Sequence, residues 1–166
     1  MALESSAMSW ALAIVLGAAL VGVPAQAAPD TASATVTIRL VSNTTSARVL
    51  VDRAPKGKAS KGDKQWAMSV LRNAVAQFDR PKGAVVGSDV GTLTVVSVTP
   101  PRVDLKVTVR LPGGTLRAAG RITGLDQDIP VIGGTGDFAN ARGTSEIRSL
   151  HPSGDPALNV YRLRLP

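Results

Sequence analysis

Cysteine is absent from the 166 residues and histidine occurs once, at His151. Without a thiol the chain has no disulfide, no thiolate nucleophile, no Cys-ligated zinc and no lipid-modified cysteine. A single imidazole is too little for a histidine-rich metal site, so no metal is expected. His151 precedes Pro152 in a turn-rich stretch and reads as an exposed loop residue rather than a base. Aromatic side chains are scarce at 3% of the chain, and past residue 27 they are Trp66, Phe78, Phe138 and Tyr161. A barrel that binds single-stranded nucleic acid stacks bases on exposed aromatics, so a nucleic-acid partner is not expected either. Long helix-forming runs are also missing, while valine, threonine, glycine and proline are plentiful, which favours short strands joined by turns.

Residues 1–27 read as a secretory signal peptide. Their apolar run from Trp10 to Val23 is short for a membrane span, and Pro24 and the cleavage pattern Ala25-Gln26-Ala27 follow it. The opening MALESSAMSW carries Glu4 and no base. That irregularity leaves an uncleaved anchor, or a start at Met8, as alternatives. Residues 28–33 are expected to be a flexible mature N-terminus, residues 34–166 a single domain, and the protein secreted. Residues 1–27 hold one acid and no base, so cleavage raises the formal charge from +7 to +8. A soluble basic surface and a weak contact with an anionic wall or membrane are the two readings of that charge. Lys56, Lys58, Lys61 and Lys64 gather in and beside a polar loop at 52–63.

Period-two alternation identifies the strands. In ATVTIRLV, Val36, Ile38 and Leu40 share one face; in VDLKVTVRL, Val103, Leu105, Val107 and Val109 do. The expected strands are 34–41 and 47–51 around a turn at Asn43–Thr45, then 64–71 and 74–78, with a helix over 64–78 as the competing reading. Strands at 84–87, 91–98, 103–111 and 115–123 follow. The last stretch reads as a strand at 129–132, a glycine turn (Gly133, Gly134, Gly136), a buried Phe138, a strand from Arg142 and a closing strand at 158–165. Eight to ten strands about ten residues apart have the rhythm of an antiparallel barrel or sandwich. A last strand with nothing beyond it must pair with earlier ones to avoid a free edge, and a closed barrel does this most simply.

IPVIGGTGDFANARG (129–143) resembles the signature of plant dirigent proteins, and LNVYRLRL (158–165) resembles their terminal strand. SKGDKQWAMSVL, VVGSDVGTLTVVSV and LPGGTLRAAGRI are similar to bacterial proteins of the allene oxide cyclase barrel-like group. The resemblance covers residues 34–165. It implies an all-β, eight-stranded antiparallel barrel with an interior pocket, often assembled as a homo-oligomer, a dimer or trimer. It also implies cofactor-free chemistry in which a shaped apolar cavity holds a reactive hydrophobic molecule in one conformation while it couples or cyclises. The Glu and Asn region on which plant allene oxide cyclases rely has no counterpart before Val41.

The candidate site residues are few. Arg142 stands in the Ala-Arg-Gly segment that, by resemblance, neighbours a polar pocket residue. With Asp137 it would pair a proton-accepting carboxylate with a guanidinium that steadies negative charge, or form a salt bridge on the rim. Asp89, in Gly87-Ser88-Asp89-Val90-Gly91, is either a cavity acid or part of an Asx-type turn. Tyr161 and Trp66 are the aromatic candidates for ligand contact, with ordinary core as their alternative. Asp104 and Lys106 read as solvated. The run Gly133-Gly134-Thr135-Gly136 lacks the Gly-Lys-Ser/Thr and helix of a phosphate loop. The expectation is a secreted, cofactor-independent barrel that binds a hydrophobic small molecule and guides its cyclisation or coupling. The alternatives are a non-catalytic secreted barrel that binds a ligand or the wall, and a self-associating surface protein.

Overall fold

The computed structural model describes residues 34–166, so the expected signal peptide and flexible N-terminus lie outside the described residues. Eight strands follow one another: β1 (Ala34–Val51), β2 (Lys64–Asn73), β3 (Val85–Ser97), β4 (Arg102–Leu111), β5 (Gly114–Ile122), β6 (Gln127–Gly136), β7 (Arg142–Ser149) and β8 (Ala157–Leu165). Each pairs antiparallel with the next, and β8 returns to β1, which closes the barrel and removes both sheet edges.

The alternation places the apolar set inside. Ile38, Leu40, Leu71, Val109, Leu116, Val131 and Leu163 form the buried core, while Arg39, Arg110, Arg117 and Arg162 stand on the outer face. Asp104 and Lys106 lie on that outer face too, and Asp104 accepts a 2.8 Å hydrogen bond from Arg121.

Four local expectations give way, three of them to longer strands. Asn43–Thr45 is no turn, because β1 runs unbroken for 18 residues and absorbs its irregularity as a bulge between Thr44 and Ser46. Its first half pairs with β8 and its second with β2, the stagger that a tilted barrel strand requires. Gly87–Gly91 likewise sits inside β3, which unites the two strands expected at 84–87 and 91–98. Residues 74–78 form no strand. Phe78 and Asp79 adopt φ of 55° and 52° between the bridged Gln77 and Arg80, a tight reversal with both central residues left-handed. Gln77 then plugs the space where β1 outruns β2: its Nε2 donates to the Arg39 carbonyl at 2.6 Å and to Asn73 Oδ1 at 3.1 Å.

The glycines 133, 134 and 136 are not the turn either; they belong to β6 and pair with β5. A Cβ on Gly136, whose φ is 61°, would stand 2.0 Å from the Gly113 carbonyl oxygen, so close strand approach is what excludes a side chain there. The reversal falls at 137–141, where the buried Phe138 helps to stop that end of the barrel.

Candidate functional site

The two halves of the barrel interior differ. Towards the end formed by loops 74–84, 112–113 and 137–141, the inward Leu40, Leu71, Val109 and Leu116 are 0% exposed, so the barrel there is filled by its own side chains. Towards the end formed by loops 52–63, 98–101, 123–126 and 150–156, the inward Leu93, Leu105, Val107, Ile122 and Ile147 are only partly buried. Cross-strand pairs Leu93↔Leu105, Gly91↔Val107 and Val103↔Ile122 keep these side chains on the inner wall. That half of the interior is therefore an apolar bowl, less tightly filled than the other half. Beside it, a cavity of about 240 Å³ lies between loop 52–63 and the inward Val49, Gln65 and Val95, with Lys58 in its wall.

Polar groups line the zone between the bowl and the packed half. Asp89 is mid-strand in β3, between Ser69 of β2 and the buried Val109 of β4, so alternation turns its carboxyl inward. Burial is the largest influence on it and pushes its pKa from 3.8 up to about 6. Hydrogen bonding from Ser69 opposes the rise, and the negative charge of Asp155 adds to it. Tyr161 of β8 lies between Ile38 and Ser145 and is 2% exposed. Its phenol is held well above the ordinary range, first by burial and next by the charge of Asp89, with Ser145 acting in the opposite direction. Ser145 Oγ is buried and makes no well-formed hydrogen bond. Asn159 Nδ2 donates to Ser42 Oγ at 3.0 Å on the same wall.

A carboxyl that titrates near 6 can both give and take a proton near neutrality, and a buried neutral phenol keeps its O–H available to donate. Asp89 and Tyr161 are therefore the pair that the fold brings into electrostatic reach. The other candidates fall elsewhere. Trp66 is on the outer face of β2, under the guanidinium of Arg48 at 4.9 Å from the ring centre. Arg142 and Asp137 sit at the packed end, both exposed, and form no ion pair with each other. Arg142 Nη1 donates to the carbonyls of Ile132 at 3.0 Å and Ala141 at 2.9 Å, bracing the place where β6 and β7 part. Asp137 packs against Gly113. His151 is exposed in its loop, 2.9 Å from Ser153 Oγ. Among the described residues no three metal-ligating side chains converge.

Sequence reasoning passed over Ser69, Ser145 and Asn159. Their signal was phase: Ser69 alternates with Leu71, and Ser145 with Ile147, so each had to share the inner wall.

An eight-stranded, sequentially wound barrel with a less tightly filled apolar half and an inward acid defines a closed β-barrel of the type that can enclose a small molecule. Residues 34–163 match the model of the dirigent-like protein family, and the chain belongs to that family. Three solved structures share the fold. A pyocyanin demethylase is 20% identical with a TM-score of 0.63, covering 77% of this chain and 99% of its own. A pterocarpan synthase dirigent protein is 18% identical with a TM-score of 0.57, covering 80% and 83%. An exo-specific intermolecular Diels-Alderase is 15% identical with a TM-score of 0.62, covering 80% and 98%. At these identities the likeness is one of fold. No curated protein matches the chain.

Proposed function

We propose that this protein binds a hydrophobic small molecule in the less tightly filled half of its barrel and guides its cyclisation or coupling without a cofactor. The observation that carries this is Asp89, an inward carboxyl shifted to about 6 at the base of the bowl walled by Leu93, Leu105, Val107 and Ile122. The apolar wall limits the conformations of a flexible molecule, and that restraint lowers the entropic part of the barrier. Asp89 moves the proton, and Tyr161 stays neutral and donates to an oxygen that gains negative charge. Solved structures of the same fold, one named for a pterocarpan synthase dirigent protein and one for an exo-specific intermolecular Diels-Alderase, support a reaction of this class. Secretion through the leader at 1–27 is part of the same proposal, as is assembly into a homo-oligomer.

A second reading, a non-catalytic binding barrel, draws on the cavity of about 240 Å³ beside loop 52–63, whose wall holds Lys58 but not Asp89. One experiment separates the two. The full chain is purified from the organism that makes it, and co-purifying small molecules are identified by mass spectrometry, followed by turnover assays of the captured compound with wild type and Asp89→Asn. A captured apolar compound whose conversion fails in Asp89→Asn supports the enzyme. A compound retained unchanged by both proteins supports the binding barrel. Recovery of no compound counts against both.

A further inference from the structure

We propose that the outer wall of the barrel carries an oxyanion site, centred on Arg117 and Arg142 above Gly133, that takes a phosphate group. The site is separate from the bowl, on the opposite face of the sheet. β6 pairs Gly133 with Arg117 but Val131 with Ala118, so Ile132 is the extra residue and Gly133 shares the outward face with Arg117. Pairing of β6 with β7 stops at Val131↔Gly143, which opens a gap beside Gly133. Two guanidiniums turn into that gap. Arg117 Nη2 and Arg142 Nη1 lie 3.4 and 3.5 Å from the point where a Cβ on Gly133 would stand.

Arg142 is held in place by the Ile132 and Ala141 carbonyls through Nη1, which leaves the remaining donors of its fork for a ligand. Arg164 stands directly opposite Arg142 in the β7–β8 ladder. The acids of the outer wall are engaged elsewhere: Asp104 by Arg121, Asp128 by Arg148, and Glu146 by Arg148 and Arg162. Like charges opposed across a ladder, and two guanidiniums over one glycine, weaken a fold. A bound dianion turns each of those repulsions into a charge-assisted hydrogen bond. Thr115 and Thr135, whose hydroxyls are 2.8 Å apart one step along the same face, add neutral donors. Two cationic forks, with Arg164 the next base along the ladder, and hydroxyls arriving from different strands suit the tetrahedral oxygens of phosphate better than a planar carboxylate. An outer concavity of about 380 Å³, with Lys106, Thr108 and Ile132 in its wall and Arg117 at its edge, gives room for whatever carries the phosphate.

The carrier is either a small phosphorylated molecule or a phosphate polymer, and one calorimetric experiment separates them. The full chain is titrated with inorganic phosphate and with short polyphosphate at matched ionic strength, with chloride as the reference anion. The expected result is saturable phosphate binding that weakens about tenfold in Arg117→Gln and again in Arg164→Gln. Lys58→Gln, at the other end of the barrel, leaves it unchanged. Arg142 also braces β6 against β7, so the Arg117 and Arg164 variants decide the matter. Polyphosphate binding far tighter than phosphate, with the same dependence on Arg117, assigns the site to a polymer; equal affinity per phosphate assigns it to a small molecule. Phosphate that binds no better than chloride, or that is indifferent to Arg117→Gln, overturns the proposal.

Discussion

Replacing Asp89 with asparagine isolates the cost of placing an acid inside this barrel. The folded chain favours the protonated carboxyl, with a pKa of about 6 against 3.8 for the ordinary group. Below about pH 4 the group is protonated in the folded and unfolded chains alike and costs nothing. As pH rises the unfolded chain ionises first, so stability falls until the folded carboxyl also ionises above about pH 6. The gap corresponds to about 3 kcal/mol lost at neutral pH. Asparagine keeps the shape, carries no charge and removes this term. Any loss of hydrogen bonding to Ser69 is worth about 1 kcal/mol, too small to change the sign. Asp104, whose carboxyl Arg121 holds below the ordinary range, contributes the opposite pH dependence, but identically in both proteins, so it cancels in the difference. Urea unfolding of wild type and Asp89→Asn across this pH range should show near-equal stability at the acid end. The variant should gain about 3 kcal/mol by neutrality. A difference that is constant with pH, or a variant less stable at neutral pH, would refute an inward, desolvated Asp89.

Other substitutions test the division of the barrel and the placement of its residues. Leu116→Ala, in the packed half, should cost about 2–5 kcal/mol, and Leu105→Ala, on the bowl wall, about half as much, both read by urea unfolding. Gly134→Ala puts a Cβ 2.3 Å from the Thr115 carbonyl oxygen and 2.5 Å from that of Phe138. It should destabilise by about 3 kcal/mol in thermal melts, with Gly124→Ala, whose Cβ would meet nothing nearer than Gln127 Nε2 at 3.5 Å, as the comparison. Arg48→Ala removes the cation over Trp66, shifting the indole emission at a cost of about 0.5–1 kcal/mol while leaving ligand capture unchanged.

What the sequence made legible follows from where alternation was clean. Val103–Leu111 alternates without interruption, Leu158–Leu165 does so from Tyr161 on, and they are strands β4 and β8 within a residue or so. Residues with turn chemistry misled where the barrel uses them for another purpose. Asn43–Thr45 became a bulge in a long, staggered strand, and Gly87 became a close approach to the Arg110 carbonyl, 2.0 Å from where its Cβ would stand. The fold class survived these errors because closure depends on the inner and outer phase of each strand, not on where it ends.

The site was less readable. Asp89 was visible as an acid between apolar runs, yet its direction required knowing that Gly87–Gly91 continues a strand. Arg142 drew notice through the family motif, but its register with Arg164 turns it outward. Ser145 was readable only through its phase with Ile147, and Asn159 was hidden because the apolar Leu158 and Val160 on either side of it suggest the opposite phase.

The most direct test of the central claim is where the captured compound sits. Methyl-resolved NMR of the full chain with that compound should give intermolecular contacts to Leu93, Leu105, Val107 and Ile122, the inward methyls of the less tightly filled half. Contacts confined to outward methyls such as Val70, Val90 and Ile132 would contradict a ligand held within the barrel.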